Sequence, residues 1–304
     1  MAKRNLTGVL LLDKPIGLSS NQALQKIKYL FQAQKAGHTG SLDPLATGLL
    51  PICFGEATKF SQCLLEADKF YLVKMKLGIR TTTSDAEGEI IAEKPVPALS
   101  KETIEKALNQ FRGDSLQVPS MYSALKYQGK PLYQYAREGI SIDRPARAIH
   151  IFQLNCLEQG SDFLVLSIHC TKGTYVRTIV DDLGELFGCG AHVIALRRTA
   201  VGQYTNDSMY TLEALEAMTA EQRDTCLIDV STMLAGIFEV SLSKEMSRYM
   251  MQGQPVFVSG APTSGLVKLL DSEKQFLGVG EIAEDGKVAP KRLVKNVYCA
   301  RSQI

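Results

Sequence analysis

Residues 36–48, Ala-Gly-His-Thr-Gly-Ser-Leu-Asp-Pro-Leu-Ala-Thr-Gly, constrain this chain more than any other segment. Glycines at 37, 40 and 48 open backbone angles closed to other residues, and Pro44 sets its own φ while turning Asp43 away from helix. Neither a continuous helix nor a continuous strand accommodates that spacing, so the segment is a constrained loop that holds its side chains still. Asp43 is its one formally charged residue. Asp, Pro and Gly are also the ordinary residues of turns, so an isolated Asp-Pro is first of all a turn. A lone carboxylate in a stiff, otherwise uncharged loop is equally a candidate for chemistry.

The elements around the loop follow from periodicity. The unbroken apolar run 9–12 predicts a buried strand, and Ser19 or Ser20 can cap a helix reaching Phe31, with Ala23, Leu24, Ile27 and Phe31 at helical spacing. A second apolar run covers 49–54, and a strand spans 69–77 with Tyr71, Val73, Met75 and Leu77 on one face. Ser100 caps a helix striped by Ile104, Ala107, Leu108 and Phe111, with Gly113 expected to end it. Residues 149–157 and 163–170 predict two strands about a Gly160-Ser161-Asp162 turn. The helix after them, ended by Gly188, carries an apolar stripe of Val176, Ile179, Val180, Leu183 and Phe187 that leaves Arg177 off the apolar face. Strands and helices without a regular βαβ rhythm predict an α+β fold on a mixed, mainly antiparallel sheet. Short alternating runs after about residue 235 predict a small β-rich unit, giving domains 1–235 and 236–304.

With 304 residues, 45% of them hydrophobic, the chain can bury a substantial core. No apolar run approaches a bilayer span and the N-terminal residues lack the apolar stretch of a secretion signal, so a cytoplasmic protein is expected. Seven cysteines without a Cys-x-x-Cys pair, and four scattered histidines, predict reduced buried thiols and neither a metal centre nor a disulfide framework. No cofactor motif is present. Net charge is only +2, yet cations cluster: Lys3, Arg4, Lys14, Lys26, Lys28 and Lys35 precede His38 against the single acid Asp13. Residues 117–148 interleave Tyr122, Tyr127, Tyr133 and Tyr135 with Lys126, Lys130, Arg137, Arg144 and Arg147. Rings and cations so mixed can stack on bases and pair phosphates, or form no more than a solvated, tyrosine-rich insert.

Two stretches, Gly8-Val-Leu-Leu-Leu-Asp13-Lys14-Pro15-Ile-Gly17-Leu-Ser-Ser20 and the loop Gly37 to Gly48, closely resemble the first two motifs of bacterial tRNA pseudouridine-55 synthases. Lys69-Phe70-Tyr71, Pro119-Ser-Met-Tyr-Ser-Ala-Leu125, Lys172-Gly173-Thr-Tyr175-Val-Arg177-Thr178 and His192 through Arg198 follow in the same order, so the resemblance runs almost from end to end. It implies an isomerase that flips one T-loop uridine of tRNA out of its stack, with a pseudouridine-synthase catalytic domain, an RNA-gripping insert at about 117–148 and a small, β-barrel-like PUA domain. It implies that Asp43 is the essential carboxylate, that Tyr71 stacks on the target base and helps the final proton loss from C5, and that Arg177 pairs with Asp43. His38 is implied to fill the space the flipped nucleotide leaves, and Tyr175 and Leu196 to contact the base and frame its pocket. No cofactor or metal is implied.

The residues alone keep other readings open. Arg177 with Asp181 is also a surface i,i+4 pair, Tyr71 and Leu196 are also core, and His38 is a possible general base or a turn residue. Pro15 and Gly17 make a turn after the strand, and Asp13-Lys14-Pro15 is assigned a structural role. A tRNA-folding factor that opens and releases the elbow is the alternative function; a glycoside hydrolase would need a second carboxylate or a nucleophile motif, and neither is evident. With no pairing element in the sequence, a monomer is expected.

Overall fold

The computed structural model describes residues 3–295. A ten-stranded sheet forms the body. Its main path runs Tyr210–Thr211, Gly8–Lys14, Ala46–Phe54, Ala191–Val201, Lys69–Leu77, Phe163–Cys170, Arg147–Gln159 and Gly113–Gln117. Tyr210–Thr211 is parallel to Gly8–Lys14, and Ala46–Phe54 is parallel to Ala191–Val201; the other pairs are antiparallel. The expected α+β fold on a mixed, mainly antiparallel sheet is thus present.

The unbroken apolar runs have a specific cause. In Gly8–Lys14, Leu10 and Leu12 join one core cluster with Ala23, Leu24 and Ile27 of the Ser20–Leu30 helix, while Val9 and Leu11 join a second cluster on the opposite face. Ala46–Phe54 divides the same way, Leu50, Ile52 and Phe54 to one side and Leu49 and Cys53 to the other. Both faces are buried, so alternation disappears from the sequence. The helix begins with Ser19 as cap and Gln22 reaching back to it, a reciprocal pair of bonds that satisfies two free N–H groups.

The second cluster is completed by Leu270, Phe276 and Val279 of a separate four-stranded sheet, ordered Phe238–Ser241, Leu266–Leu270, Phe276–Ile282 and Val288–Leu293. Its described strands form an open sheet, so the barrel-like expectation is corrected: Phe238–Ser241 and Val288–Leu293 do not pair with each other. The larger sheet's apolar residues cover one end of it, which buries that surface without closure. Lys59 Nζ donates to Leu293 O (2.9 Å) and the Lys295 N–H to Glu56 Oε2 (2.6 Å), fastening the two sheets at their seam.

Three local expectations change. Gly113, φ +89°, opens the Gly113–Gln117 strand, while the Lys101–Asn109 helix ends at its cap Gln110. Arg177 is buried at 6% exposure, because the first turn of the Val176–Leu186 helix runs into the layer that holds Asp43 and Asp85. Asp181 pairs with Arg80 at 2.8 and 2.9 Å. Of the six described cysteines, Cys63 and Cys156 are half-buried; Cys299 lies outside the described residues. Within residues 118–146 the only regular elements are the Lys126–Tyr127 and Lys130–Pro131 ribbon and the short Leu132–Arg137 helix. No described helix is long and apolar enough to cross a membrane.

Candidate active site

The Asp43 loop is bolted down on every side. Ser20 Oγ donates to Leu42 O (3.0 Å) and accepts from Leu42 N–H (2.6 Å), and the Gly17 N–H donates to Pro44 O (2.8 Å). Lys14, fully buried, donates to Pro15 O (2.8 Å), Leu18 O (2.6 Å) and Pro44 O (3.4 Å), so it staples the first motif to the second. Gly48 is dictated by contact as well as by φ (+96°): a Cβ there would lie 2.2 Å from the backbone oxygen of Arg198, its partner in the parallel pair. Asp13, near the end of the Gly8–Lys14 strand, receives both Nη atoms of Arg197, at 3.0 and 2.7 Å.

Arg177 ties three loops together. Its Nε lies 2.9 Å from Asp43 Oδ2 and its Nη1 lies 3.3 Å from Asp85 Oδ2; Nη1 also donates to Thr83 O (3.0 Å) and Nη2 to Tyr122 O (2.8 Å). The planar fork of a guanidinium can satisfy so many acceptors at once, which an ammonium cannot. The Asp85 side chain is 3% exposed and accepts from Thr83 Oγ1 (2.5 Å) and the Glu87 N–H (3.1 Å). The Asp43 side chain keeps 39% of its surface open to solvent, the most exposed part of the cluster. The protein packed around it nonetheless dominates its titration. Desolvation pushes the carboxyl above its usual range; Arg177 pulls it back, Asp85 pushes it up again and Lys14 lowers it.

Tyr71 sits on the sheet face that packs on the main core, and desolvation raises its phenol, against the opposing charge and hydrogen bond of Arg198. His38 ends the Ala36–His38 strand; burial and then Arg198 lower its pKa, and its Nδ1 has no protein partner among the described residues. A lowered pKa makes the imidazole a weaker proton acceptor. Tyr175 caps the Val176–Leu186 helix, its N–H donating to Gln117 Oε1 (2.7 Å) and its carbonyl accepting from Gln117 Nε2 (3.2 Å). Leu196 is 8% exposed, opposite Ala46 on one neighbouring strand and Val73 on the other.

The structure therefore brings Asp43 and Arg177 into direct contact and sets Tyr71 and Tyr175 within reach of the Asp43 charge. His38 is within reach of Arg198, and Leu196 belongs to the core cluster against which Tyr71 packs. Sequence reasoning does not single out Asp85, Gln117 or Arg198. Asp85 lies in Thr81-Thr82-Thr83-Ser84-Asp85, which announces a turn and nothing more. Lys69, which the sequence marks only as part of the Lys69-Phe70-Tyr71 motif, is 6% exposed and donates to Leu64 O (3.2 Å) and Leu65 O (2.6 Å) at the end of the Ser61–Glu66 helix, and burial pushes it down to about 8.

The fold that carries this site has counterparts among solved proteins. The structure titled "Crystal Structure of a Cbf5-Nop10-Gar1 Complex" superposes with a TM-score of 0.71 at 22% identity, covering 95% of this chain and 84% of that one. "Structure of H/ACA RNP bound to a substrate RNA containing 2'-deoxyuridine" gives 0.72 at 20% identity, covering 95% and 86%; these likenesses concern the fold. Residues 28–176 match the TruB family pseudouridylate synthase (N terminal domain), 177–235 the tRNA pseudouridylate synthase B C-terminal domain, and 239–294 pseudouridine synthase II TruB, C-terminal. Proteins named tRNA pseudouridine synthase B from Yersinia pestis (strain Pestoides F) and Shewanella amazonensis (strain ATCC BAA-1098 / SB2B) are 56% and 54% identical over 302 residues. Each alignment covers 96% of this chain, and 93% and 96% of the respective relatives. The chain belongs to the TruB family of pseudouridylate synthases.

Proposed function

We propose that this protein isomerises the T-loop uridine of tRNA, position 55, to pseudouridine, with Asp43 as the essential group. One observation carries the reading: a carboxylate with an arginine at 2.9 Å behind it and 39% of its surface open, on a loop locked by hydrogen bonds. The reaction breaks the C1′–N1 bond, turns the uracil and rejoins it through C5 as a proton leaves that carbon. It is redox-neutral and adds no atoms, so side chains suffice. Asp43 either adds to C1′ or removes a sugar proton, stabilising an electron-poor sugar centre as glycosidase carboxylates do.

Arg177 keeps Asp43 ionised and aimed against the desolvation that raises it. Tyr71 stacks on the extruded base, Tyr175 and Leu196 frame it, and His38 fills the gap left in the RNA. The insert at about 117–148 grips the T arm through its tyrosines and cations, within a catalytic unit 1–235, and 236–304 is a PUA-like second RNA contact. The protein acts as a cytoplasmic monomer.

Tritium release from a transcript labelled at uridine C5 tests this. Wild type should release tritium; Asp43→Asn should not, yet should bind the transcript comparably, because one carboxylate adds little to holding a polyanion. A transcript with cytidine at the target should be inert. Binding without release by wild type defeats the enzymatic reading, and release by Asp43→Asn defeats the role of Asp43.

A further inference from the structure

Arg198 is the bulkiest side chain that the fold buries completely, at 1% exposure. Its Nε donates to Leu49 O (2.7 Å) and its Nη2 to Gly40 O (3.1 Å), and among the described residues no carboxylate forms an ion pair with it. The nearby anions are committed elsewhere: Asp43 and Asp85 share Arg177. A buried guanidinium without a counter-ion is costly to fold, and bracing two carbonyls alone needs no charge. Arg198 stands directly opposite Tyr71 in the antiparallel pair, so both side chains leave the same face of the sheet, and its guanidinium charge opposes the upward push that burial gives the phenol. The charge lies beside Tyr71, the tyrosine assigned to stack on the target base.

We propose that Arg198 is a positioning residue for Tyr71, holding its phenol oxygen and stabilising the phenolate while Tyr71 carries a proton from uracil C5 to N1. The inference rests on the isomerase reading. As the C1′–N1 bond breaks, its electron pair stays on N1, which takes the phenol proton and leaves a phenolate facing Arg198. After the base turns, the C5–C6 π pair forms the C5–C1′ bond as the C1′–O bond to Asp43 breaks or, where Asp43 has taken the sugar proton, as the sugar's C1′–C2′ π pair takes that proton back from it. The C5–H pair then restores the ring double bond as the proton passes to the phenolate. The net change is one proton from C5 to N1, as the product requires, and Tyr71 ends as it began. The other charged or titratable groups around this pair are Asp43, Cys170, Lys14, Lys69 and His38. Of the cations around the pair, Arg198 is the one that stands directly opposite Tyr71 on the neighbouring strand.

A double-mutant cycle in single-turnover tritium release tests it, using Arg198→Met and Arg198→Lys in the wild-type and Tyr71→Phe backgrounds. Removing a charge-assisted bond to a proton-transfer group predicts a fall of about ten- to a hundredfold for Arg198→Met in wild type, and less than about twofold beside Tyr71→Phe. Arg198→Lys should recover part of the activity. Equal falls in both backgrounds, the signature of a purely structural brace for Gly40 and Leu49, overturn the proposal. A second measurement stands apart from turnover: the tyrosinate ultraviolet transition assigned to Tyr71 by difference from Tyr71→Phe should move to higher pH in Arg198→Met, or in Arg198→Gln if the methionine variant does not fold. An unmoved transition also overturns it. Absence of tritium release by wild type defeats the isomerase reading, and the titration then decides Arg198's hold on Tyr71.

Discussion

The layer beneath Asp43 and the insert 117–148 are built from the same residue types, arginine, lysine and tyrosine, put to opposite use. In the layer, Arg177 and Arg198 are 6% and 1% exposed and spend their donors on backbone carbonyls and, for Arg177, on the Asp43 and Asp85 carboxylates. In the insert, Lys130 reaches the exposed Glu138 and lies 4.6 Å from the Tyr135 ring centre, while Arg137 lies 5.5 Å from that of Tyr133. Interactions of that kind exchange readily with water or phosphate. Buried charge gives fixed geometry; exposed charge gives adjustable grip.

Breaking the layer should have the largest effect. Arg177→Met strands Asp43 and Asp85 without their cation, so a stability loss of about 3–5 kcal/mol in urea unfolding is expected, together with loss of tritium release. Arg177→Lys should recover little of either, since one ammonium cannot replace four directed bonds.

Two glycines sharpen the contrast at the level of backbone. Gly48→Ala meets the Arg198 carbonyl at 2.2 Å, whereas Gly139 in the insert, φ +73°, has open space around it. Thermal unfolding should show Gly48→Ala destabilised by more than about 2 kcal/mol and Gly139→Ala by only about 1 kcal/mol, the strain of a left-handed alanine. Similar shifts for both would contradict the close parallel pairing at Gly48.

The next effect is in pH. Asp85 raises Asp43, so Asp85→Asn removes that push and should carry the acid limb of kcat/KM to lower pH; a limb moving upward would mean that weakened support for Arg177 dominates. Changes in the insert should be smallest for stability. Lys130→Gln and Arg137→Gln should each alter unfolding free energy by less than about 0.5 kcal/mol, yet flatten the salt dependence of tRNA binding by about one unit of log–log slope for each phosphate no longer neutralised. Unchanged slopes would remove the insert from the RNA interface.

Much of this molecule is legible in its sequence, because the signals are local. Turn residues around Asp43, the Ser19 cap and strand periodicity at 69–77 each depend on a few neighbouring side chains and recur in the structure. The unbroken apolar runs at 9–12 and 49–54 announce burial, while the identity of what covers each face comes from elements up to Val294. Arg177 escapes the helical pattern for a physical reason: amphipathic spacing assumes that charge faces water, and the assumption fails where a distant carboxylate supplies the partner.

Arg197 and Arg198 mark the limit most plainly. Adjacent residues on a strand point to opposite faces, so the sequence by itself determined that these two arginines part company. It could not determine which of them would be buried against Tyr71 and which would meet Asp13. Sheet order decides that, through pairings between residues more than a hundred positions apart, and with it the placing of charge beneath Asp43.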